Sequence, residues 1–187
     1  MSRLPVPAAD EAPLASRDVL RAAAERFGRV PNVVRLLSVS PAALQGFLGL
    51  LTALDDGTLG AQTSARIALA IAEENKCEYC LSLHTDRARR HTGLDDAEIT
   101  ANRSGSSNDP RAEVAVRFAV KLLRTRGVVG DDDIRALKTA GYDDGQIIEI
   151  VLHAGINTLT AHLSKVADTE IDFPAIKARR SSTGEES

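Results

Sequence analysis

The most informative stretch of this chain is Asn75-Lys76-Cys77-Glu78-Tyr79-Cys80-Leu81-Ser82-Leu83-His84. It holds the only two cysteines of the 187 residues, in a C-x-x-C arrangement, with a histidine four residues after the second. Two thiols this close can form a small, reducible disulfide, and one can react while the other resolves the product. The motif therefore indicates redox chemistry rather than a structural disulfide that stabilises the fold.

The sequence around the motif predicts how the thiols are presented. A helical pattern over 61–74 stops at Asn75-Lys76, where Asn75 is expected to adopt the left-handed conformation that ends helices. Cys77 is therefore expected at the N-terminus of the next helix, where free amides and the helix dipole lower a thiol pKa. Cys77, Cys80 and His84 then share one helical face. His84 could take a proton from Cys80 or deliver one to a leaving oxygen, and Glu73 or Glu74 could orient the imidazole or act as an acid.

The rest of the chain predicts an all-α fold. Ala, Leu, Glu and Arg dominate, and helix start and stop signals recur along the sequence. Ser16, Asp131 and Asp143 are predicted caps. The other predicted helices are one ending at Gly28, one opened by Pro41, one continuing from Cys77 to about His91 and one running from Pro110 to about Arg126. Two similar segments, Gly93–Ile99 and Gly141–Ile147, each predict a glycine stop, an aspartate cap and a capping box completed by Glu98 or Gln146.

A single domain is the natural expectation for this length, which can bury a core without disulfides or metal. We predict an irregular N-terminal arm over 1–15, which carries three of the prolines, and a helical domain over 16–176. The polar residues 177–187 predict a disordered tail.

Composition argues against several classes of function. The net charge of −3 and the scarcity of aromatics, with no Trp, do not indicate a surface that binds nucleic acid or an anionic membrane. No apolar run approaches the roughly 20 residues of a membrane span. The first residues lack the apolar core of a signal peptide. We therefore expect a cytoplasmic protein, and in that reducing compartment a C-x-x-C is catalytic or metal-binding more often than structural.

Two other interpretations of the cysteines stay open at this point. The thiols and the histidine could simply line the core, as small apolar groups. Alternatively, Cys77, Cys80, His84 and His91 could bind zinc, although zinc prefers ligand pairs from separate loops and a second pair is absent. Outside the motif, His153 and Asn157 lie one turn apart on a helix that is apolar on most sides, and His153 is expected to be a core histidine.

At these residues the sequence resembles the alkyl hydroperoxidase D-like, peroxidase-related proteins of the carboxymuconolactone decarboxylase superfamily. The resemblance centres on residues 68–85 and covers roughly residues 14–176. The further segments that carry it are Gly28-Arg29-Val30-Pro31-Asn32, Ser40-Pro41-Ala42, Asn102-Arg103, Asp109-Pro110, Ala140-Gly141-Tyr142, Asn157-Thr158-Leu159-Thr160 and Thr169-Glu170-Ile171-Asp172-Phe173-Pro174.

The resemblance implies a single-domain helical bundle, assembly into trimers or hexamers, and no bound cofactor or metal. It implies a thiol peroxidase of the peroxiredoxin type, in which Cys80 attacks an organic hydroperoxide, Cys77 resolves it as a disulfide, and His84 relays protons. An unknown dithiol or protein reductant would restore the thiols.

One departure from the family pattern matters. The redox members usually carry a glutamate twelve positions before the first cysteine, where this chain has Ala65. Glu73 is our candidate to replace it, although an exposed glutamate in a last helical turn is an equally good interpretation. Two alternatives follow: a C-x-x-C disulfide reductase or electron carrier with little peroxidase activity, or an oligomeric family member without enzymatic activity.

Overall fold

The structure is a computed structural model that describes residues 2–179, and within that range its regular elements are all helical. The predicted all-α class is therefore confirmed. The helices are α1 (Leu14–Phe27), α2 (Asn32–Leu37), α3 (Pro41–Asp55), α4 (Ala61–Glu74), α5 (Glu78–Arg87), α6 (Asp96–Arg103), α7 (Pro110–Arg124), α8 (Asp131–Thr139) and α9 (Asp144–Ala167), with a π-helical turn, Ala88–Thr92, continuing α5.

Local capping chemistry places most helix starts where the sequence predicts them. Ser40 precedes Pro41 and accepts a hydrogen bond from the amide of Ala43. Asp109 does the same for α7, and Asp143 forms the predicted capping box with Gln146. Side-chain oxygens at these positions satisfy amides that the first helical turn cannot pair, which fixes the start.

Three local predictions are wrong. Ser16 is not a cap, because α1 begins at Leu14 and the buried Ser16 hydroxyl donates to the carbonyl of Ser38, 2.7 Å away. Asp131 is the first residue of α8, after Gly130 in the cap position. The left-handed residue that turns the chain after α4 is Lys76 (φ +50°), whereas Asn75 stays right-handed.

The predicted C-terminal tail needs a partial correction. Residues 177–179 pack against the domain, since Lys177 bonds Glu78 and the backbone of Arg179 bonds Glu73. The ordered chain therefore extends at least three residues beyond the predicted boundary at 176. The remaining residues, 180–187, lie outside the part of the chain that the structure describes.

Helix α4 is the centre of the bundle. It packs against α5, α6, α7 and α9, and eight consecutive residues, Arg66 to Glu73, are buried. A helix buried on all sides needs small or apolar residues throughout, and the segment between these two charges is Ile67-Ala68-Leu69-Ala70-Ile71-Ala72. The two charged side chains at its ends must then find partners inside the protein.

Arg66 finds its partner on α6. Its Nε donates to Oε1 of Glu98 at 2.7 Å, and both side chains are less than a tenth exposed. Burial alone would raise the pKa of Glu98, but hydrogen bonds from Ser107, Asn102, the amide of Asn108 and Arg66 outweigh it and lower the pKa to about 2. The glutamate predicted to complete a capping box therefore neutralises a buried cation instead.

None of the helices described between residues 2 and 179 is long and apolar enough to cross a membrane.

We expect Glu98→Gln to destabilise the fold by about 3 kcal/mol, because it leaves the Arg66 guanidinium buried without a counter-charge. The measurement is the free energy of unfolding in urea at neutral pH. Asp132→Asn is the control, since it breaks a largely exposed pair with Arg135 and should cost less than about 0.5 kcal/mol.

Glu98→Gln should also change how the stability of the fold depends on pH. Since the folded pKa of Glu98 is about 2 and its ordinary value is near 4.5, its stabilising effect is complete above pH 4.5 and is lost as the pH falls toward 2. Glu98→Gln should flatten the pH dependence of unfolding in that window. A wild-type slope in the glutamine variant would contradict this assignment.

Candidate active site

Cys77 stands at the N-terminus of α5, as predicted. It is the cap residue, with extended backbone, and its Sγ accepts a hydrogen bond from the amide of Cys80 at 3.2 Å. The left-handed turn at Lys76 sets it there, and its own amide still bonds back to the carbonyl of Ala72 in α4. A thiolate at this position is stabilised by first-turn amides and by the helix dipole.

The two cysteines are joined by a disulfide between residues three apart, with Cα atoms separated by 5.2 Å. Each cysteine is only 1% exposed. The pair lies within a core cluster that α1–α5 form together with Ala12 and with Ala161 of α9, and the same cluster contains Tyr79 and Leu81. Any oxidant or reductant must therefore reach a buried sulfur.

His84 follows Cys80 by one turn of α5. The ring is partly accessible as a whole, but its Nε2 is buried and has no hydrogen-bond partner within the described residues. Burial, assisted by the charge of Arg87, lowers the pKa of His84 to about 3, while the side chain of Asn157 acts in the opposite direction. The imidazole is therefore neutral at pH 7, and the same burial makes it a weak base in this disulfide form.

Glu73 lies at the end of α4 but makes its hydrogen bonds elsewhere. Its Oε2 accepts from Nε of Arg103 at 2.8 Å, and its Oε1 accepts from the backbone amide of Arg179 at 2.7 Å. Lys76 adds a longer contact of 3.7 Å. The carboxylate is 5% exposed rather than solvated, which argues against the interpretation of Glu73 as an exposed last-turn glutamate. These bonds tie the C-terminal segment to the bundle. The hydrogen bonds of Glu73 thus go to Arg103 and Arg179 rather than to the cysteines or to His84.

Ala65, the position of the missing relay glutamate, faces an apolar environment. It packs against the small cluster of Leu69, Ala88, Leu94 and Ile99. Ala88 is one turn beyond His84 on the same helical run, so a side chain at position 65 approaches the cysteine helix close to the histidine. The methyl group of Ala65 contributes packing there and no proton chemistry.

Residues 170–179, here termed the C-terminal strap, cover the start of α5. Phe173 makes an edge-on contact with the ring of Tyr79, with centroids 6.2 Å apart, and the amide of Ile176 donates to Ser82 at 2.9 Å. Phe173, Ile176 and Ala178 pack against the same core cluster that contains both cysteines. The strap therefore packs on the outside of the core cluster that contains the disulfide.

Polar bonds fix the end of the strap. Arg103 donates to the carbonyl of Lys177 at 2.8 Å, Lys76 donates to the carbonyl of Arg179 at 3.1 Å, and Glu73 accepts from the amide of Arg179. Arg103 thus holds both Glu73 and the strap. The sequence places Arg103 in a segment of the family resemblance but predicts no role for it, because its role depends on the meeting of α6 with the C-terminal segment in space.

The sequence also did not predict that Asn157 would act on the pKa of His84. The only signal was a polar residue on a mostly apolar helix. His153, one turn earlier, is buried as expected, and its Nε2 lies 3.2 Å from the hydroxyl of Ser64.

Other possible sites lie apart from the cysteines. Two surface grooves of about 370 and 350 Å³ are lined mainly by α7 with the loop after α6, and by the first turn of α4 with Arg111 and Tyr142. Neither groove includes a cysteine or His84. Within residues 2–179, no group of three or more His, Cys, Asp or Glu side chains is arranged to hold a metal ion, and His91 of the zinc interpretation is exposed.

We expect Arg103→Ala to accelerate reduction of the disulfide, because it releases both Glu73 and the strap from α6. The measurement is the rate of thiol appearance under a phosphine reductant, by alkylation and mass spectrometry. Arg117→Ala is the matched control, since that exposed arginine pairs with Glu113 on α7. Equal rates in wild type and Arg103→Ala would show that the strap does not limit access.

Sequence comparison matches residues 41–121, from α3 into α7, to the carboxymuconolactone decarboxylase family. The matched range contains Cys77, Cys80 and His84. A curated relative, an uncharacterized protein of Cupriavidus necator, is 38% identical over 64 residues, which make up 33% of this chain and 57% of that protein. This chain thus spans little more than half the length of that relative.

Solved structures match nearly the whole chain. An uncharacterized peroxidase-related protein from Ralstonia eutropha, described as an alkylhydroperoxidase AhpD core, has a TM-score of 0.81 at 23% identity, covering 91% of this chain and 92% of that one. A peroxidase-related protein from a Silicibacter species gives 0.79 at 24% identity, covering 90% and 91%.

A third match is a protein with a different activity. The debrominase Bmp8, as a cysteine-to-alanine variant in complex with 2,3,4-tribromopyrrole, gives a TM-score of 0.75 at 19% identity, covering 91% of each chain. At these identities the likeness to solved structures concerns the fold.

Proposed function

We propose that this chain is a thiol-dependent peroxidase acting on organic hydroperoxides, of the alkyl hydroperoxidase D-like group of the carboxymuconolactone decarboxylase superfamily. The family match over residues 41–121 and the fold shared with peroxidase-related proteins support the proposal. The observation that carries the proposal is the buried Cys77–Cys80 pair on one helical turn with a neutral histidine one turn further on. Superfamily members include enzymes, and the debrominase indicates that this fold serves more than one chemistry.

The proposed cycle begins with both cysteines reduced. His84 accepts the proton of the Cys80 thiol, and the thiolate attacks one oxygen of the hydroperoxide. The O–O bond breaks, the leaving alkoxide takes the proton from His84 and departs as an alcohol, and Cys80 becomes a sulfenic acid. A neutral imidazole fits this step, because the base must arrive without a proton.

The second step closes the disulfide. The Cys77 thiol attacks the Cys80 sulfur, the S–O bond breaks and water leaves, so that the two cysteines have supplied the two electrons that reduced the peroxide. A dithiol or protein reductant then returns two electrons and two protons. No bound cofactor or metal is needed for these steps, and we propose a reducing cytoplasm as the compartment that maintains the donor.

The assignment of Cys80 as the attacking thiol rests on the family resemblance. The capping geometry favours Cys77 as the more acidic thiol, because its sulfur already accepts an amide hydrogen bond at the helix N-terminus. If Cys80 attacks first, the sulfenic acid is trapped on Cys80; if Cys77 attacks first, it is trapped on Cys77. An experiment can therefore distinguish the two assignments.

We expect Cys80→Ser to abolish hydroperoxide consumption, and Cys77→Ser to permit one turnover and leave a sulfenic acid on Cys80. Wild-type protein should go from two free thiols to none with one equivalent of hydroperoxide, without linking chains. The measurement is mass spectrometry after sulfenate trapping and thiol alkylation.

A sulfenate trapped on Cys77 in the Cys80→Ser variant would reverse the assignment. Solely interchain or over-oxidised products in the wild type would contradict the resolving role of Cys77.

A second candidate function is disulfide reduction or electron transfer with little peroxidase activity. The observation that favours it is the apolar packing of Ala65, which leaves His84 without the carboxylate that redox relatives usually place there. Wild-type protein that reduces a model disulfide in several turnovers, while consuming hydroperoxide no faster than free dithiol, would identify this alternative.

We also propose that the protein works as a homo-oligomer, with trimers or hexamers implied by the resemblance, and that α9 binds a second copy. Four apolar side chains on α9 are between 40% and 64% exposed: Ile148, Leu152, Leu159 and Val166. They follow one another at spacings of four, seven and seven residues, with Gly155 between them, which is the heptad pattern of helix pairing. An apolar stripe of this length on a surface helix is typical of a protein interface.

We expect Leu152→Glu and Leu159→Glu each to yield monomers, because a buried carboxylate in the stripe opposes pairing. The measurement is sedimentation velocity. Val128→Glu is the control, since Val128 is an equally apolar side chain, 74% exposed, in the loop between α7 and α8 and outside the stripe. An unchanged sedimentation coefficient in the two leucine variants would rule out the stripe as the interface.

A further inference from the structure

Tyr79 lies between the two cysteines, and its side chain is held by groups outside α5. Its hydroxyl accepts a hydrogen bond from the backbone amide of Val33, in the first turn of α2, at 3.0 Å. Its ring meets the ring of Phe173 from the C-terminal strap edge to face, with centroids 6.2 Å apart. The side chain is buried. Tyr79 therefore fixes the first turn of α5 to α2 and to the strap.

The two groups that hold Tyr79 are themselves fixed. The amide of Val33 belongs to a first helical turn, so it has no carbonyl partner within its own helix and is available to the tyrosine. Phe173 follows Asp172, whose carboxylate accepts from the amide of Asn32, next to Val33, at 3.1 Å. The start of α2 thus connects both anchors of the tyrosine.

The backbone of Tyr79 decides where one N–H group points. The peptide bond between Tyr79 and Cys80 carries the amide that donates to Sγ of Cys77 at 3.2 Å. When the disulfide is reduced, Cys77 is still the cap of α5, and an amide hydrogen bond to its sulfur favours the thiolate over the thiol. A rotation of this peptide would turn the N–H away and weaken the bond.

We propose that Tyr79 is the positioning residue of the cysteine pair: its anchored side chain keeps the Tyr79–Cys80 peptide directed at Cys77 and thereby stabilises the Cys77 thiolate. In the proposed cycle, this thiolate attacks the sulfenic acid on Cys80. The proposal rests on the proposed function only in requiring that the pair cycle between disulfide and dithiol.

Reduction by dithiothreitol is the step in which the stabilised thiolate counts. Two electrons from the donor break the S–S bond, and the donor closes its own disulfide. Cys80 takes up one of the donor's two protons, and the other passes to solvent because Cys77 remains a thiolate. Stabilising that thiolate favours the reduced protein, so the anchored tyrosine raises the reduction potential of the pair.

The charged groups around the motif stay the same when the Tyr79 hydroxyl is removed. The side chains that flank the motif are held in ion pairs: Glu73 with Lys76 and Arg103, Glu74 with Arg124, and Glu78 with Lys177. On the strap, Asp172 pairs with Arg29. His84 is neutral at pH 7, since burial lowers its pKa to about 3. The elements α1, α2, α3 and α9 contribute apolar side chains to the cluster around the sulfurs.

The test compares Tyr79→Phe with Tyr142→Phe, because these are the only two tyrosines of the chain. Both are buried, and the hydroxyl of Tyr142 donates to the backbone carbonyl of Arg111 at 3.2 Å. Tyr142 lies in a core cluster that contains neither cysteine. Each substitution removes one hydroxyl and one hydrogen bond to the backbone, and only the first acts on the cysteine helix.

Two measurements report on the cysteines without a peroxidase assay. The first is the equilibrium with dithiothreitol, at a pH where wild-type Cys77 is ionised. The second is the titration of the Cys77 thiol in a Cys80→Ser background, followed by the ultraviolet absorbance of the thiolate. Tyr79→Phe should lower the equilibrium constant for reduction by at least about threefold, which is about 15 mV, and raise the titration midpoint. Tyr142→Phe should leave both values as in wild type.

Unchanged values in Tyr79→Phe, or equal changes in Tyr142→Phe, would overturn the proposal. If Tyr79→Phe fails to fold, Phe173→Leu decides, because it removes the ring contact and keeps the hydroxyl bond. That variant should shift both values in the same direction, and wild-type values there would also overturn the proposal. The predicted shifts in a protein that consumes no hydroperoxide would uphold the role of Tyr79 and reject the peroxidase function.

Discussion

Two buried ion pairs between α4 and α6 constrain the rest of the bundle. Arg66 and Glu73 stand at the two ends of the fully buried part of α4, and α6 supplies the counter-charge for each, Glu98 for the first and Arg103 for the second. Breaking either pair would leave a charge in a medium that cannot solvate it. The position of α4 is therefore fixed at both ends, and with it the turn at Lys76 that sets Cys77 in place.

Much of the fold could be predicted from local sequence, because capping is a local interaction. Pro41, Asp109 and Asp143 mark helix starts in the sequence and in the structure alike. What could not be predicted depends on residues far apart in sequence. Ser16 bonds the carbonyl of Ser38, and Glu98 belongs to a network that begins 32 residues earlier at Arg66. No local pattern distinguishes such a serine or glutamate from an ordinary cap.

The residues of the candidate site fall into the same two groups, those placed by local sequence and those placed by the packing of distant helices. Cys77, Cys80 and His84 lie on one helix, so their spacing alone was enough to place them on one face. Glu73, Arg103 and Asn157 come from three other helices, and only the packing of those helices decides which of them acts on the pKa of the histidine and which holds the strap. Glu73 was selected by its sequence position beside the motif, yet its carboxylate bonds Arg103 and Arg179.

The short spacing of the cysteines has a thermodynamic consequence. A disulfide between residues three apart closes a ring of four residues, and the chain-entropy model gives such a ring only about 2 kcal/mol of stabilisation, against about 4.7 for a 100-residue loop. Because folding and disulfide formation are thermodynamically linked, a disulfide that adds little to the stability of the fold is in turn little stabilised against reduction by folding. The free energy of folding then comes mainly from the packing of α4 against its partners, so the fold depends little on the oxidation state of the two sulfurs.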